Sequence, residues 1–120
     1  MRAVHNLSKE SREKIVLTLL ERRNKSELAR DLGVSAASIV KFYKGKTHPS
    51  DETIVRAIKI ADEKEKEEIA QIMVEDLIDS LLEIFENYPN IDTKKLDLLR
   101  KVLEERDKRK ILTSLGLSFV

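Results

Sequence analysis

The 120-residue sequence has no cysteine and no tryptophan, and it holds only three glycines and two prolines. The lack of cysteine excludes disulfides and thiolate chemistry, and it suits a reducing compartment. No apolar run is long enough to span a bilayer, and the first ten residues lack the apolar stretch of a signal peptide. We therefore expect a soluble, cytoplasmic protein with no membrane partner.

The abundant residues are Leu, Ile, Val, Ala, Glu, Lys and Arg, which favour helices and the cores between them. We predict an all-α fold. The net charge of +1 conceals two unlike halves, because residues 1–50 hold eleven Lys and Arg against five Asp and Glu, whereas residues 51–120 hold twelve against seventeen. This asymmetry favours a polyanion as partner of the first half, with an uneven scatter of charge as the alternative.

Helix-start residues and apolar spacing divide the first half into short helices. Ser8 is placed to cap the first helix, Asn24 the second, Ser35 the third and Ser50 the fourth. Glu27 completes a capping box with Asn24. The inward residues of these helices are predicted to be Ile15, Val16, Leu19, Leu20, Leu28, Ala29, Leu32, Ile39, Phe42, Ile54, Ala57 and Ile58. Basic side chains are expected on or near the outer face of the first helix: Arg12, Lys14, Arg22 and Arg23.

The second half reads as longer amphipathic helices. The tract 62–68 (DEKEKEE) is expected to continue as helix with a possible bend, and its glutamates Glu63, Glu65, Glu67 and Glu68 to form a solvated face. An apolar stripe then runs to about Tyr88, and a last helix from about Asp92 or Thr93 to about Leu112. The apolar closing segment 111–120 is expected to dock on another surface.

The stretch 24–49 has the layout of a helix-turn-helix that reads DNA. Gly33 suits the turn because glycine adopts positive φ without steric cost. The next helix, 36–44, carries small and basic residues on its outer side, with Val40 at the border, and such a helix fits the major groove. The predicted base-reading residues are Ser35, Ala36, Ala37, Ser38 and Lys41. The predicted contacts with the DNA backbone are Lys25, Lys44, Lys46, Thr47 and Arg23.

Residues 8–61 resemble the lambda-repressor-like (Cro/C1-type) helix-turn-helix family. The matching residues are Ala29, Gly33, Val34, Ser35, Ile39 and Phe42, followed by Gly45, Lys46, Thr47 and Pro49. The resemblance implies a five-helix head that binds double-stranded DNA, usually as a homodimer. It implies core positions at Ala29, Val34, Ile39 and Phe42, base-facing positions at Ala36, Ala37 and Lys41, and backbone contacts at Lys25 and Lys46.

We therefore predict two domains, a DNA-binding domain at 1–61 and a C-terminal helical dimerisation extension at 62–120. A second head on a second half-site about 34 Å away would double the DNA contact. A monomer with a longer core is the alternative. The predicted dimerisation residues are Ile69, Ile72, Met73, Leu77, Leu81, Ile84, Leu99 and Leu103.

Chemical motifs are missing elsewhere. The two histidines, His5 and His48, do not make a metal site, and no catalytic triad, phosphate-binding glycine loop or zinc-protease motif is present. We expect no enzyme activity, no cofactor and no small-molecule ligand. The predicted function is a DNA-binding transcriptional regulator, a repressor, acting on a pseudo-palindromic site. The alternatives are an accessory protein of recombination, replication or plasmid partition, and a helical protein-interaction adaptor that does not bind DNA.

Overall fold

The structure, a computed structural model, describes residues 1–116. Within that range it consists of seven helices and no strand, so the prediction of an all-α fold is confirmed. The helices are α1 (Arg2–His5), α2 (Lys9–Leu20), α3 (Lys25–Leu32), α4 (Ala36–Tyr43), α5 (Asp51–Ile60), α6 (Glu63–Asn87) and α7 (Lys94–Ser114). The single turn α1 was not anticipated, and it contributes the buried Val4. Residues 117–120, the end of the predicted docking segment, lie outside the described residues.

The four predicted N-caps begin the four helices of the first half. The side chains of Ser8, Asn24, Ser35 and Ser50 each accept a hydrogen bond from the backbone N–H three residues later, over 2.8 to 3.2 Å. Each bond satisfies an amide that has no partner inside its helix. Thr93 likewise caps α7. These bonds confirm the four predicted helix starts. They could be predicted because a cap and the amide that it bonds are only three residues apart.

One hydrophobic core holds the first five helices and the beginning of α6. Its buried members come from each of these elements. They are Val4, Leu7, Ile15, Val16, Leu19, Leu28, Ala29, Leu32, Ile39, Phe42, Ile54, Ala57, Ala61 and Ile69. Val34, Leu20, Ile58 and Ile60 pack against it while half-buried. The predicted inward residues of α2 to α5 are therefore confirmed.

Arg12 does not lie on the outer face of α2, and that prediction is wrong. Its side chain is buried, and its guanidinium donates to the carbonyl oxygens of Leu7, Pro49 and Val4 at 2.8 to 3.2 Å. It also bonds Asp51 Oδ1 at 2.7 Å. Arginine tolerates burial when its donors are satisfied in this way. Arg12 thus ties α1 and the start of α5 to α2.

The prediction of a solvated glutamate face on the tract 62–68 is wrong at Glu65, whose side chain is 1% exposed. Asp62 Oδ1 accepts from the Glu65 N–H at 2.7 Å, and Glu65 Oε1 accepts from the Asp62 N–H at 3.0 Å. This reciprocal pair is a capping box, and it begins a new helix after a break at residues 61–62. The signal was present in the sequence as Asp62 followed three residues later by a glutamate.

The structure places the predicted dimerisation residues differently along α6. Ile69 is buried in the core of its own chain, and Ile72 and Met73 pack against that core while half-buried. Leu77 and Leu81 are half-buried, and Ile84 is exposed. Leu99 and Leu103 of α7 are also exposed. Dimerisation itself stays a prediction, but Ile69 is not available for it, because its side chain is buried in the core of its own chain.

The chain divides into two compact units, Met1–Ile84 and Phe85–Val120. In the first, Asp76 of α6 accepts a hydrogen bond from the Ser8 N–H at 2.9 Å, so α6 follows the head beyond Ile69. In the second, none of the described residues of α7 is buried. The predicted functional boundary after residue 61 stays a prediction. None of the described helices combines the length and apolar character needed to traverse a bilayer.

Candidate nucleic-acid interface

The turn between α3 and α4 is closed by backbone hydrogen bonds around Gly33. The Val34 N–H donates to the Ala29 carbonyl at 2.9 Å, and the Gly33 N–H donates to the Arg30 carbonyl at 3.2 Å. This pattern is a Schellman motif, and it requires a left-handed residue, which Gly33 provides with φ of 72°. Because Val34 then packs on the core, α4 leaves the turn in one direction.

Helix α4 has two chemically distinct faces. Ile39 and Phe42 are buried against the core, whereas Ala36, Ala37 and Lys41 are exposed. The first turn of the outer face therefore carries only small side chains, the methyl groups of alanine and the hydroxymethyl groups of Ser35 and Ser38, and a lysine follows one turn later. A helix of this shape can enter a groove about 12 Å wide without steric obstruction.

Ser35 and Ser38 are partly occupied by the cap of α4. Ser35 Oγ accepts from the Ser38 N–H at 3.0 Å, and the two hydroxyl oxygens lie 2.9 Å apart, so one hydroxyl donates to the other. The other hydroxyl keeps its hydrogen for an outside acceptor. Among the five predicted base-reading residues, the hydrogen bonds of the cap therefore occupy Ser35 and Ser38 and leave Ala36, Ala37 and Lys41 aside.

The predicted backbone-contacting residues other than Arg23 are exposed. Lys25 opens α3, Lys44 ends α4, and Lys46 and Thr47 follow Gly45 in the next loop. The helix-turn-helix is therefore bordered by cations at the start of its first helix and at the end of its second. Cations in these positions suit contact with phosphates that flank a groove.

Arg23 is held by an intrachain partner. Its guanidinium donates to both carboxylate oxygens of Glu65, at 2.7 and 2.9 Å, and to the Leu19 carbonyl at 2.9 Å. The hydrogen bond with Glu65 raises the pKa of Arg23, and the same bond is the main cause that lowers the pKa of Glu65. With only 16% of its side chain exposed, Arg23 has little surface left for a phosphate.

Arg56 of α5 supports the turn, and sequence analysis did not single it out. Its Nη1 donates to the Leu32 carbonyl at the end of α3 at 3.0 Å, and its Nη2 pairs with Glu52 at 3.0 Å. The i, i+4 spacing of Glu52 and Arg56 signals the pair. The bond to Leu32 spans 24 residues and has no local signal. Arg56 therefore fixes α3 against α5 directly beside Gly33.

The polar side chains of His5, Arg12 and Asp51 bond one another at the start of α5. His5 Nδ1 lies 2.7 Å from Asp51 Oδ2, at an open depression that Arg12 and Pro49 also line. The hydrogen bonds from His5 and then Arg12 lower the pKa of Asp51. Within residues 1–116, no cluster of three histidine, cysteine or acidic side chains could hold a metal ion.

Comparison of the chain with protein-family models, curated proteins and solved structures finds no match.

Proposed function

We propose that this protein binds double-stranded DNA sequence-specifically, with α4 as the recognition helix, and that it regulates transcription as a repressor. In this proposal α2 to α5 and the first turns of α6 form a lambda-repressor-like head. The observation that carries it is the orientation of α4: Ile39 and Phe42 face the core, while Ala36, Ala37 and Lys41 face outward.

The residues divide into two roles. Lys41 reaches base edges, and the Ala36 and Ala37 methyl groups lie against thymine methyl groups or allow close approach. Lys25, Lys44, Lys46 and Thr47 bind phosphates and set the register of the head on the duplex. Arg23 is left out of this set because Glu65 holds its guanidinium. Binding across a promoter would then repress by occlusion.

The experiment starts with selection of bound duplexes from a random library, followed by measurement of Kd for selected and random duplexes. Lys41→Ala should weaken the selected site by about 1–3 kcal/mol and relax discrimination among sites, since it removes a base contact. Lys46→Ala should weaken selected and random duplexes by similar factors, since it removes a phosphate contact. Lys108→Ala, an exposed lysine of α7, is the charge-matched control and should leave both affinities near wild type.

Two results contradict the proposal. Equal loss of discrimination from Lys41→Ala and Lys46→Ala would remove the division between reading and positioning. No shift of any duplex at micromolar protein and low salt would favour the protein-interaction adaptor, because nonspecific DNA binding is strongest at low salt.

A further inference from the structure

The acidic balance of the second half of the chain does not extend to α7. Residues 62–93 hold eleven Asp and Glu against two Lys. Helix α7 instead holds eight Lys and Arg against four Asp and Glu, so its net charge is +4. It therefore has the same sign of charge as residues 1–50, the sign that favours a polyanion as partner.

The cations near the end of α7 lie on one side of the helix. At about 100° per residue, Arg106, Arg109 and Lys110 fall within about 100° of arc, and Thr113 follows inside the same arc. We call these three cations the cationic sector. The acidic residues of the same stretch lie outside the arc: Glu104, Glu105 and Asp107. The sector thus presents positive charge with no carboxylate inside it.

The cationic sector has no partner within residues 1–116. Its three side chains are exposed, and no salt bridge or side-chain hydrogen bond joins them to another described residue. Among the described cations of α7, Arg100 is the one that is paired, with Asp97 at 3.0 Å. In the head, by contrast, carboxylates hold the buried arginines. The donors of Arg106 and Arg109 therefore remain for an anion outside the described chain.

Stabilisation of the helix end does not account for these cations. A cation stabilises a helix C-terminus when it lies in the last turn, beside the free carbonyl groups. The last turn of α7 holds no cation. There the backbone N–H groups of Leu115 and Gly116 donate to the carbonyl oxygens of Ile111 and Thr113, at 3.1 and 3.0 Å. The end of α7 is therefore closed without help from the cationic sector.

Phosphate groups fit the cationic sector better than a protein surface does. The planar guanidinium of arginine matches phosphate oxygens in pairs. Side chains three or four residues apart on a helix are neighbours, so the three cations can contact adjacent phosphates together. Residues 104–110 contain no apolar residue, whereas the buried centre of a protein interface is mainly apolar. Duplex DNA, the polyanion of the proposed function, is therefore the partner with suitable chemistry.

We propose that the cationic sector is a second contact with DNA, in which Arg106, Arg109 and Lys110 bind phosphates of the same duplex that the head binds. The inference rests on the proposed function, because the head must hold the duplex first. A contact that is weak by itself then strengthens binding, since it forms within a complex that already exists. Because this contact meets phosphates alone, it strengthens binding to every duplex by the same factor.

Removal of the three cations tests the proposal. In Arg106→Ala/Arg109→Ala/Lys110→Ala, the plot of log binding constant against log salt concentration should become shallower by about 2–3, since each phosphate contact contributes about 0.9. At about 0.1 M salt the affinity should fall roughly tenfold for the selected and for the random duplex, so that their ratio stays unchanged. Fluorescence anisotropy measures both affinities. Circular dichroism checks that α7 stays helical, which alanine favours.

The matched control is Lys94→Ala/Arg100→Ala/Lys108→Ala, which removes three cations from the opposite side of α7. Its salt slope and its affinities should stay near wild type. Equal losses in the two variants would overturn the proposal, because the change in net charge alone would then explain them. No loss in either variant would also overturn it and would assign the sector to an acidic protein partner. The proposed function survives both of these results, whereas a wild-type chain that binds no duplex would refute the function and the second contact together.

Discussion

The Glu65 carboxylate is one of the groups that hold α6 on the rest of the head. It accepts from the Asp62 N–H at the start of α6 and from the guanidinium of Arg23, which lies between α2 and α3. A buried charge of this kind is stable only while its partner is present, since the alternative is an unpaired ion in the interior. Glu65 and Arg23 therefore act as one unit.

This pair predicts a pH dependence of stability. The pKa of Glu65 is lowered in the folded chain, chiefly by the hydrogen bond from Arg23. The Glu65 carboxyl thus binds a proton less tightly in the folded chain than in the unfolded chain. The ion pair therefore makes its full contribution to the free energy of unfolding above the ordinary glutamate pKa of about 4.3. This stabilisation is lost as the pH falls through the lower pKa that Glu65 has in the folded chain. Urea unfolding of wild type between pH 7 and pH 2.5 should show this loss.

Glu65→Gln should lower the free energy of unfolding by about 3 kcal/mol at pH 7, and the deficit should narrow as the pH falls below about 4. Glu67→Gln is the matched control, because Glu67 is exposed on the same helix. Its pH profile should follow that of wild type. A constant deficit of Glu65→Gln across the whole pH range would contradict the assigned role of the ion pair.

At the scale of single residues, the helix caps could be predicted from the sequence, whereas the burial of charged side chains could not. Ser8, Asn24, Ser35 and Ser50 bond backbone groups three residues away, so a short window contains both partners. Arg12 is bonded to Asp51 and Arg23 to Glu65, partners 39 and 42 residues distant. Residue type alone places arginine and glutamate on the surface. Only the packed fold determines which of them is paired inside.

At the scale of elements, the geometry between α3 and α4 depends on one turn. Gly33 and Gly45 both have φ near 70°, and both end a helix with the same pair of backbone bonds. They differ in surroundings. A Cβ on Gly33 would collide with the Arg56 guanidinium, whereas on Gly45 it would meet only Glu13 Oε2 at 3.8 Å.

Gly33→Ala should therefore be more destabilising than Gly45→Ala. Each alanine incurs the left-handed strain of about 1–2 kcal/mol. At Gly33 the guanidinium must also move, and its bond to the Leu32 carbonyl adds about 1 kcal/mol to the loss. Chemical unfolding of both variants measures the difference. Equal losses would show that Arg56 adapts without cost and does not fix the turn.

Elements with local signals were predicted well from sequence, whereas the break between α5 and α6 was expected only as a possible bend. Glu and Lys favour helix throughout the tract 62–68, so propensity alone predicted continuation. The break appears because Ala61 is buried and has extended backbone, which aims α6 so that Ile69 reaches the core. The orientation of α4 followed from its sequence, since Ile39 and Phe42 define its inner face. What α6 packs against depends on residues of the head that no local window contains.

At the scale of the whole molecule, the salt dependence of the proposed DNA binding measures how many heads contact one duplex. The logarithm of the DNA binding constant falls with the logarithm of salt concentration by about 0.9 for each phosphate neutralised. Two heads on one duplex neutralise twice as many phosphates as one. We therefore expect the salt slope on the full selected site to be about twice the slope on a duplex that keeps only one half-site.

A duplex of full length with a scrambled second half-site controls for duplex length, and its slope should equal that of the single half-site. The slopes are measured by fluorescence anisotropy between 50 and 300 mM salt. Identical slopes on the full site and on the single half-site would mean that one head binds DNA alone.

The two-residue link at 61–62 joins α5 and α6, and links of this kind act as hinges in many proteins. Here it cannot swing freely, because rotating α6 away would strip the counter-ion from Arg23 and draw Ile69 out into water. The first half of α6 is therefore held on the head at three places: Arg23, Ile69 and Ser8. The direction in which α6 leaves the head is therefore set by these contacts and not by the link itself.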